Sequence, residues 1–376
     1  MIVIEKKPGI FFLFFLFLFF SLDVQAPISF YGTQFIGLTT LVIIRFLIYP
    51  KISLNCLKLF FSVVVLLETL CFIQNLYIKQ EILILVYQRV IFLLSVGILL
   101  LDYLILTKEE VLKKALLIFI SFMSCIVICQ FLGFYFLHID RSQLDFGLLL
   151  GGEESRTWYT GDWLYRPTGI TSEPSIFVGV QFGLLSIQYL LDKNAKISRL
   201  LGVLSLTLSM SFLGLILAFL FLIVVYSKNI INYFFGALFL FLFYIFSFEI
   251  INDRIEKFMQ GDDGSNNVKI EAFKYFFSDP NITFFGYGFL FRSEGQPQFY
   301  DALLDLTFYL NSLTVFGVFI GLIILFYFFY FLLKSNSSLK EKILILLSLV
   351  KLSNPSVLFF TLFISLCFVI LKKRNI

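Results

Sequence analysis

The chain has 376 residues, 59% of them hydrophobic and 14% charged, with a net charge of +4 and a mean hydropathy of +0.94. Soluble globular chains sit at about 45–50% apolar and about 25% charged, so this composition excludes a soluble domain. The small positive charge is no argument for nucleic acid, because the basic residues lie in short loops beside apolar runs, where they set topology.

Apolar runs long enough to cross a hydrocarbon core of about 30 Å recur from end to end. Backbone groups in lipid must pair internally, so these runs predict helices, and the short alternating segments of a β-barrel are missing. In chain order the spans are expected at 8–22, 28–49, 57–78, 81–106, 115–137, 174–191, 200–226, 231–249, 304–333, 342–352 and 355–371. Residues 1–26 also have the form of a signal peptide, with Lys6 and Lys7 before an apolar run and Val24-Gln25-Ala26 at its end. A retained first span is commoner in polytopic chains, and the later topology is the same either way. The Phe-rich run 11–20 is explained by lipid contact.

Basic residues place the cytoplasmic side. Lys6 and Lys7, then Lys51 and Lys58, then Lys108, Lys113 and Lys114, then Lys193, Lys196 and Arg199 fall inside on alternate loops. Lys334, Lys340, Lys342 and the tail Lys372-Lys373-Arg374 also read as inside. An even number of crossings must then separate residue 199 from residue 334. A break of the run 200–226 near Ser209-Met210-Ser211 restores the parity; one long tilted helix that violates the charge rule is the other reading. With the break, the expected architecture is all-α: one integral membrane domain over 1–376, about twelve crossings, and two large outer loops at about 138–173 and 250–303.

Charges inside the spans are few. Glu68 and Arg89 lie about equally far from the turn near Lys79, which predicts an ion pair across an antiparallel hairpin. Arg45, close to the inner end of its span, is expected to snorkel. The five cysteines, Cys56, Cys71, Cys125, Cys129 and Cys367, fall in or beside apolar runs and read as packing residues. One histidine, His138, cannot build a usual zinc site, so no metal and no cofactor are expected.

The polar chemistry lies in the outer loops. The first holds Arg141, Arg156 and Arg166, with Glu153, Glu154, Asp162 and Glu173, and the aromatics Trp158, Tyr159, Trp163 and Tyr165. The second adds Arg254, Lys257, Lys269, Lys274 and Arg292, with Tyr275, Tyr287 and Tyr300. Arginine forks suit phosphate oxygens, and exposed aromatic rings suit the apolar faces of sugars. Ordinary solvated loops are the plainer account of the same residues.

One run is more specific. Arg166-Pro167-Thr168-Gly169-Ile170-Thr171-Ser172-Glu173-Pro174, an Arg-x-x-Gly-x-x-x-Glu-Pro pattern leading into a span, resembles the Wzy-type O-antigen and capsule polymerases, relatives of the O-antigen ligases. The Ser-rich stretch Leu208-Ser209-Met210-Ser211 resembles that family's polar break. The segment from Asn267-Val268-Lys269 to Phe284-Phe285-Gly286-Tyr287-Gly288, with Pro280 before it, resembles its outer Pro-then-Gly-x-Gly segment. The family often has Arg where this chain has Lys269. The family's Arg-x10-Gly spacing occurs at Arg141 and Gly152, whereas from Arg254 it lands on Ser265, one past Gly264.

The resemblance implies a metal-independent membrane glycosyltransferase of the bacterial cytoplasmic membrane, multi-pass, working on its outer face. The enzyme would be an O-antigen or capsular polysaccharide polymerase, serving lipopolysaccharide or capsule biosynthesis. Its donor and acceptor would be undecaprenyl-diphosphate-linked oligosaccharides, with membrane lipid, a chain-length regulator and a flippase as partners. In that reading Arg166 holds the diphosphate, and Glu173 is the base or the orienter of Arg166. Arg141, Arg156, Tyr165, Arg254, Lys269, Tyr287 and Arg292 would bind substrate. For Glu173 the structural alternative is an acid complementing the dipole of the helix that starts at Pro174. Two other functions stay open: a lipid-linked oligosaccharide flippase, which should carry more charge inside its spans, and an O-antigen ligase, which should carry a histidine in the second outer loop.

Overall fold

The computed structural model describes residues 8–157, 164–226, 256, 259, 264–290 and 297–374. Among them regular structure is helical, apart from one isolated bridge between Asp23 and Thr171. The helices are α1 (Ile10–Ser21), α2 (Leu38–Ile48, continuing a π-helical stretch Ile28–Gly37), α3 (Leu54–Ile78), α4 (Glu81–Ile105) and α5 (Glu109–Tyr135). Two single-turn helices follow, α6 (Arg141–Leu144) and α7 (Phe146–Leu149), then α8 (Pro174–Leu191), α9 (Lys196–Leu208) and α10 (Phe212–Tyr226). The chain continues with α11 (Gly264–Phe276), α12 (Pro280–Phe285), α13 (Phe308–Lys334), α14 (Leu339–Ser348) and α15 (Leu358–Arg374). Among the described residues six stretches are, by length and composition, long and apolar enough to cross a membrane: Ile28–Ile48, α3, α4, α5, α8 and α13. The expected span 231–249 lies outside the described residues.

The chain divides into two compact units. The first is built from Met1–Val63, Phe92–Ala218 and Ser335–Ile376, the second from Val64–Ile91 and Phe219–Lys334.

In the first unit α8 is the hub, packed against α5, α9, α14 and α15. Its burial, 83% against 22% for α3, marks it as a helix enclosed by protein rather than by lipid. An enclosed helix can carry polar side chains that pair internally. Gln181 Nε2 donates to Ser124 Oγ on α5 at 2.9 Å and to Ser205 Oγ on α9 at 3.2 Å. Gln188 Nε2 donates to Ser198 Oγ at 2.7 Å, and Ser348 Oγ donates to Ser186 Oγ at 2.9 Å. On α1 the buried set Leu13, Leu16, Phe17 and Phe20 follows helical spacing and packs on α5, with Phe17 and Phe119 rings 5.6 Å apart.

The run 200–226 is broken where the serine cluster stands. α9 stops at Leu208, Met210 takes a left-handed φ of 51°, and α10 starts at Phe212. A Cβ on Gly214 would lie 2.7 Å from the Leu206 carbonyl oxygen. In one continuous helix those residues would be about 12 Å apart, so the chain doubles back.

The second unit holds a reversal that the sequence reading missed. The expected single span 304–333 corresponds to α13, but Gly317 has φ 75° and ψ 166° inside it. Phe308 and Phe328 rings lie 5.1 Å apart, as do Tyr309 and Phe329 at 6.0 Å. Residues 20 apart in a straight helix are separated by about 30 Å. α13 is therefore a hairpin of two antiparallel arms, 308–316 and 318–334. A Cβ on Gly321 would overlap the Ser312 carbonyl, so the arms touch backbone to backbone.

One intramembrane expectation is corrected, and the contacts of Arg45 are defined. Glu68 Oε1 accepts from Gln88 Nε2 at 3.0 Å instead of pairing with Arg89. Neighbours on a helix differ by about 100° in direction, and residue 88, not 89, shares the face of Glu68. Arg45, expected to snorkel, reaches past the end of its helix. It is fully buried, its Nη1 donates to Tyr49 O at 2.9 Å and its Nη2 to Lys51 O at 2.7 Å, closing the end of α2.

Candidate functional site

The segment after α5 is a laced structure rather than a loose loop. Asp145 caps α7: its Oδ1 accepts from Gly147 N at 2.6 Å and from Ser155 Oγ at 2.9 Å, and its Oδ2 accepts from Ser155 N at 2.8 Å. Gln130, buried on α5, reads the chain on two sides. Its Nε2 donates to Leu144 O at 2.8 Å and Gly169 O at 3.2 Å, and its Oε1 accepts from Gly169 N at 2.8 Å. Gly169 sits at φ 62°, a left-handed position that only glycine occupies at low cost, which accounts for the glycine of the Arg-x-x-Gly run. The turn after α1 stitches the far side: Glu153 N donates to Gln25 O at 2.9 Å and Ser172 N to Asp23 O at 2.6 Å.

This lacing brings three of the expected residues together. Arg156 N donates to Ser172 O at 2.8 Å, which sets Arg156 beside the start of α8. Its guanidinium Nη1 lies 2.7 Å from Glu173 Oε1, with the arginine side chain 77% exposed and the glutamate 29%. Arg166 N donates to Thr157 O at 2.5 Å, and its Nη2 donates to the Arg156 carbonyl at 3.3 Å. Glu173 is the N-cap residue of α8, with Pro174 behind it at the first helical position. Its carboxylate makes no capping hydrogen bond to the helix backbone; Oε2 accepts from Ser175 Oγ at 3.2 Å. The carboxylate is thus turned toward Arg156. The expected orienter of Arg166 is instead the ion-pair partner of its neighbour.

The remaining candidates are placed as follows. Arg141 Nε lies 3.4 Å from Glu154 Oε1 on the same laced segment. Tyr165 is 1% exposed and stacked on Phe134 at 4.7 Å, with its backbone held from both sides by Tyr135 Oη. Burial, reinforced by the Asp145 carboxylate, pushes its phenol well above the ordinary range. It is a packing residue here rather than a surface for sugar.

Lys269 and Tyr287 belong to the second unit. Lys269 Nζ pairs with Asp305 Oδ2 at 2.9 Å. Tyr287 is buried, and its Oη donates to Ala272 O at 3.4 Å. Arg254, Lys257 and Arg292 lie outside the described residues, as do Trp158, Tyr159, Asp162 and Trp163.

The Gly286-Tyr287-Gly288 segment has a structural task. Tyr287 N donates to Thr314 O at 2.7 Å and Gly288 N to Val315 O at 3.0 Å, closing the end of the first arm of α13. Gly286, Gly288 and Gly317 all have positive φ, and a Cβ on any of them would overlap a facing atom. Gln74, buried on α3, clamps the same point. Its Nε2 donates to Phe285 O at 2.6 Å and Val315 O at 2.9 Å, while its Oε1 accepts from Tyr87 Oη at 2.6 Å. Tyr77 Oη donates to Gly286 O at 2.5 Å. Sequence reasoning passed over Gln74, Gln130 and Asp145. For the two glutamines the available signal was an amide in the C-terminal half of an apolar run, where a polar group needs a protein partner.

Among the described residues no group of three or more His, Cys, Asp and Glu is arranged to hold a metal. Comparison with protein-family models, with characterised proteins and with solved structures finds no match to this chain.

Proposed function

We propose that this chain is a membrane glycosyltransferase that joins undecaprenyl-diphosphate-linked repeat units on the outer face of a bacterial cytoplasmic membrane, as an O-antigen or capsular polysaccharide polymerase. The proposal includes about a dozen crossings and two outer segments, 138–173 and 250–303. The observation that carries it is the convergence of Arg156, Arg166 and Glu173 on one short laced segment at the start of the most enclosed long helix. The resemblance of the Arg166–Pro174 run supplies the substrate class.

In this reaction a hydroxyl of the acceptor sugar attacks the anomeric carbon of the donor chain, and the lipid diphosphate departs with added negative charge. Fixed guanidinium groups stabilise charge developing on a leaving phosphate without reorganising. A carboxylate within reach of the hydroxyl accepts its proton. Arg166, half-buried, takes the first role; Arg156, exposed, adds a second and mobile guanidinium for the diphosphate, and Glu173 takes the role of base. The half-buried setting of Arg166 and Glu173, beside the exposed Arg156, fits a ligand whose head group meets the loop while its tail stays in lipid.

The test is complementation of a host that lacks its polymerase and makes the cognate repeat unit. Wild type and Arg166→Ala are compared at matched expression, with the surface polysaccharide read as a ladder. A ladder with wild type that collapses to single repeats with Arg166→Ala supports polymerisation. Single repeats with wild type overturn it for that substrate. No surface sugar at all points to a flippase or a ligase.

A further inference from the structure

The proposed base and the most exposed proposed phosphate ligand neutralise each other. Arg156 and Glu173 form an ion pair at 2.7 Å, and neither has another charged partner in the described structure. A carboxylate held by a guanidinium is a poor proton acceptor, and a guanidinium held by a carboxylate is a poor anion receptor. Both assigned roles require the pair to open.

The geometry supplies the means. Arg156 is the exposed member, so its long side chain can swing without disturbing packing, while its backbone stays fixed to Ser172 and to Arg166. Glu173 is the sheltered member, set at the end of a buried helix and steadied by the Ser175 hydroxyl. A diphosphate carries more charge than one carboxylate and offers oxygens in the same fork-matching spacing.

We infer that Arg156 is an exchange residue: the diphosphate of the lipid-linked donor takes the Arg156 guanidinium from Glu173, and this exchange frees the Glu173 carboxylate to act as base. The inference rests on the reading of this segment as the reaction site. In the step that follows, the acceptor O–H bond breaks and its proton goes to Glu173 Oε1. The acceptor oxygen forms the new bond to the anomeric carbon, and the carbon–oxygen bond to the diphosphate breaks with its electron pair on the phosphate oxygen. The base is therefore released only when a donor is bound.

The experiment measures binding of undecaprenyl diphosphate to the full-length protein in nanodiscs of phosphatidylethanolamine and phosphatidylglycerol. Inorganic pyrophosphate in a parallel series separates head-group binding from lipid binding. Wild type, Arg156→Ala, Arg156→Lys, Glu173→Gln and the double variant Arg156→Ala/Glu173→Gln are compared, each checked for monodisperse elution. If the exchange occurs, Glu173→Gln binds more tightly than wild type, by up to about fivefold for a partly exposed pair, although it loses polymerisation. In the Arg156→Ala background the same change gives no gain, because there is no pair to open.

Equal tightening in both backgrounds means simple relief of charge repulsion and overturns the exchange while the site stands. So does weakened binding by Arg156→Ala with no gain from Glu173→Gln. If wild type does not bind undecaprenyl diphosphate, or binding is indifferent to Arg156→Ala and to an added Arg166→Ala, the site itself is overturned. Binding of pyrophosphate as tight as that of the lipid would place recognition wholly in the head group, and the exchange would be judged on that ligand.

Discussion

Single side chains without formal charge hold the most demanding points of this molecule. At Gly317 an added methyl would overlap the Phe284 carbonyl, in a backbone region that costs an L-residue about 1–2 kcal/mol even in open space. Gly317→Ala is therefore expected to lower the melting temperature in detergent sharply. Gly9→Ala, with nothing within 4 Å of the added carbon, should leave it unchanged. Gln74→Leu removes the donor to Phe285 O and the acceptor of the buried Tyr87 hydroxyl, while Val315 O keeps the Gly288 N–H; a buried polar group left unsatisfied costs about 1–3 kcal/mol. A Gln74→Leu variant that melts with wild type would show that the reversal at Gly317 does not depend on this clamp. The same scale separates Arg156 from Arg166. The motif named Arg166, but the contact with Glu173 belongs to a residue ten positions earlier, brought there by a backbone hydrogen bond that no linear pattern records.

Among elements, the break between α9 and α10 was legible and the break inside α13 was not. The first announces itself in Ser209-Met210-Ser211, a polar interruption that also repairs the charge parity of the loops. The second falls in Phe316-Gly317-Val318, where hydropathy stays high and one glycine barely changes the average. Only a packing argument finds it: Gly317 and Gly321 lie four apart in a run otherwise rich in bulky side chains, as close backbone contact requires.

At the legible break, Met210 holds φ 51°. Met210→Gly should be neutral or stabilising by about 1 kcal/mol, and Met210→Val clearly destabilising, since β-branched residues rarely take that conformation. Melting curves of the two variants read this directly; a Val variant as stable as wild type would refute the left-handed turn. Because α9 and α10 double back, cysteines placed at Lys196 and Tyr226 in a cysteine-free background should be labelled from the same side of the membrane. Labelling from opposite sides would restore the single tilted helix.

For the whole molecule, three distant chain segments are tied by one buried carboxylate. Glu341 sits at N3 of α14 in a capping box with Ser338, and pairs with Arg374 at 3.0 Å and Lys193 at 3.4 Å. Burial pushes its carboxyl up, but the Ser338 N–H and the Arg374 and Lys193 charges outweigh that and hold it below the ordinary range. A depressed carboxylate contributes stability that is present above the unfolded pKa and lost as pH falls through the folded one. The melting temperature should therefore drop on acidification below about pH 4, and drop less steeply in Glu341→Gln. Arg374→Ala should cost up to about 3 kcal/mol at neutral pH, because it leaves a buried charge short of a partner. An identical acid profile for Glu341→Gln would remove Glu341 from the account.

The clamp on the α13 hairpin also has a consequence in time. Gln74 is synthesised 211 and 241 residues before the carbonyls it serves. At about 5–20 residues per second its amide waits roughly 10–50 s for them. Meanwhile the Tyr87 hydroxyl, 13 residues on, satisfies its oxygen as soon as α4 is inserted. On that timing the α3–α4 pair is expected to form first, as a socket that the Gly317 turn enters once the ribosome has delivered it.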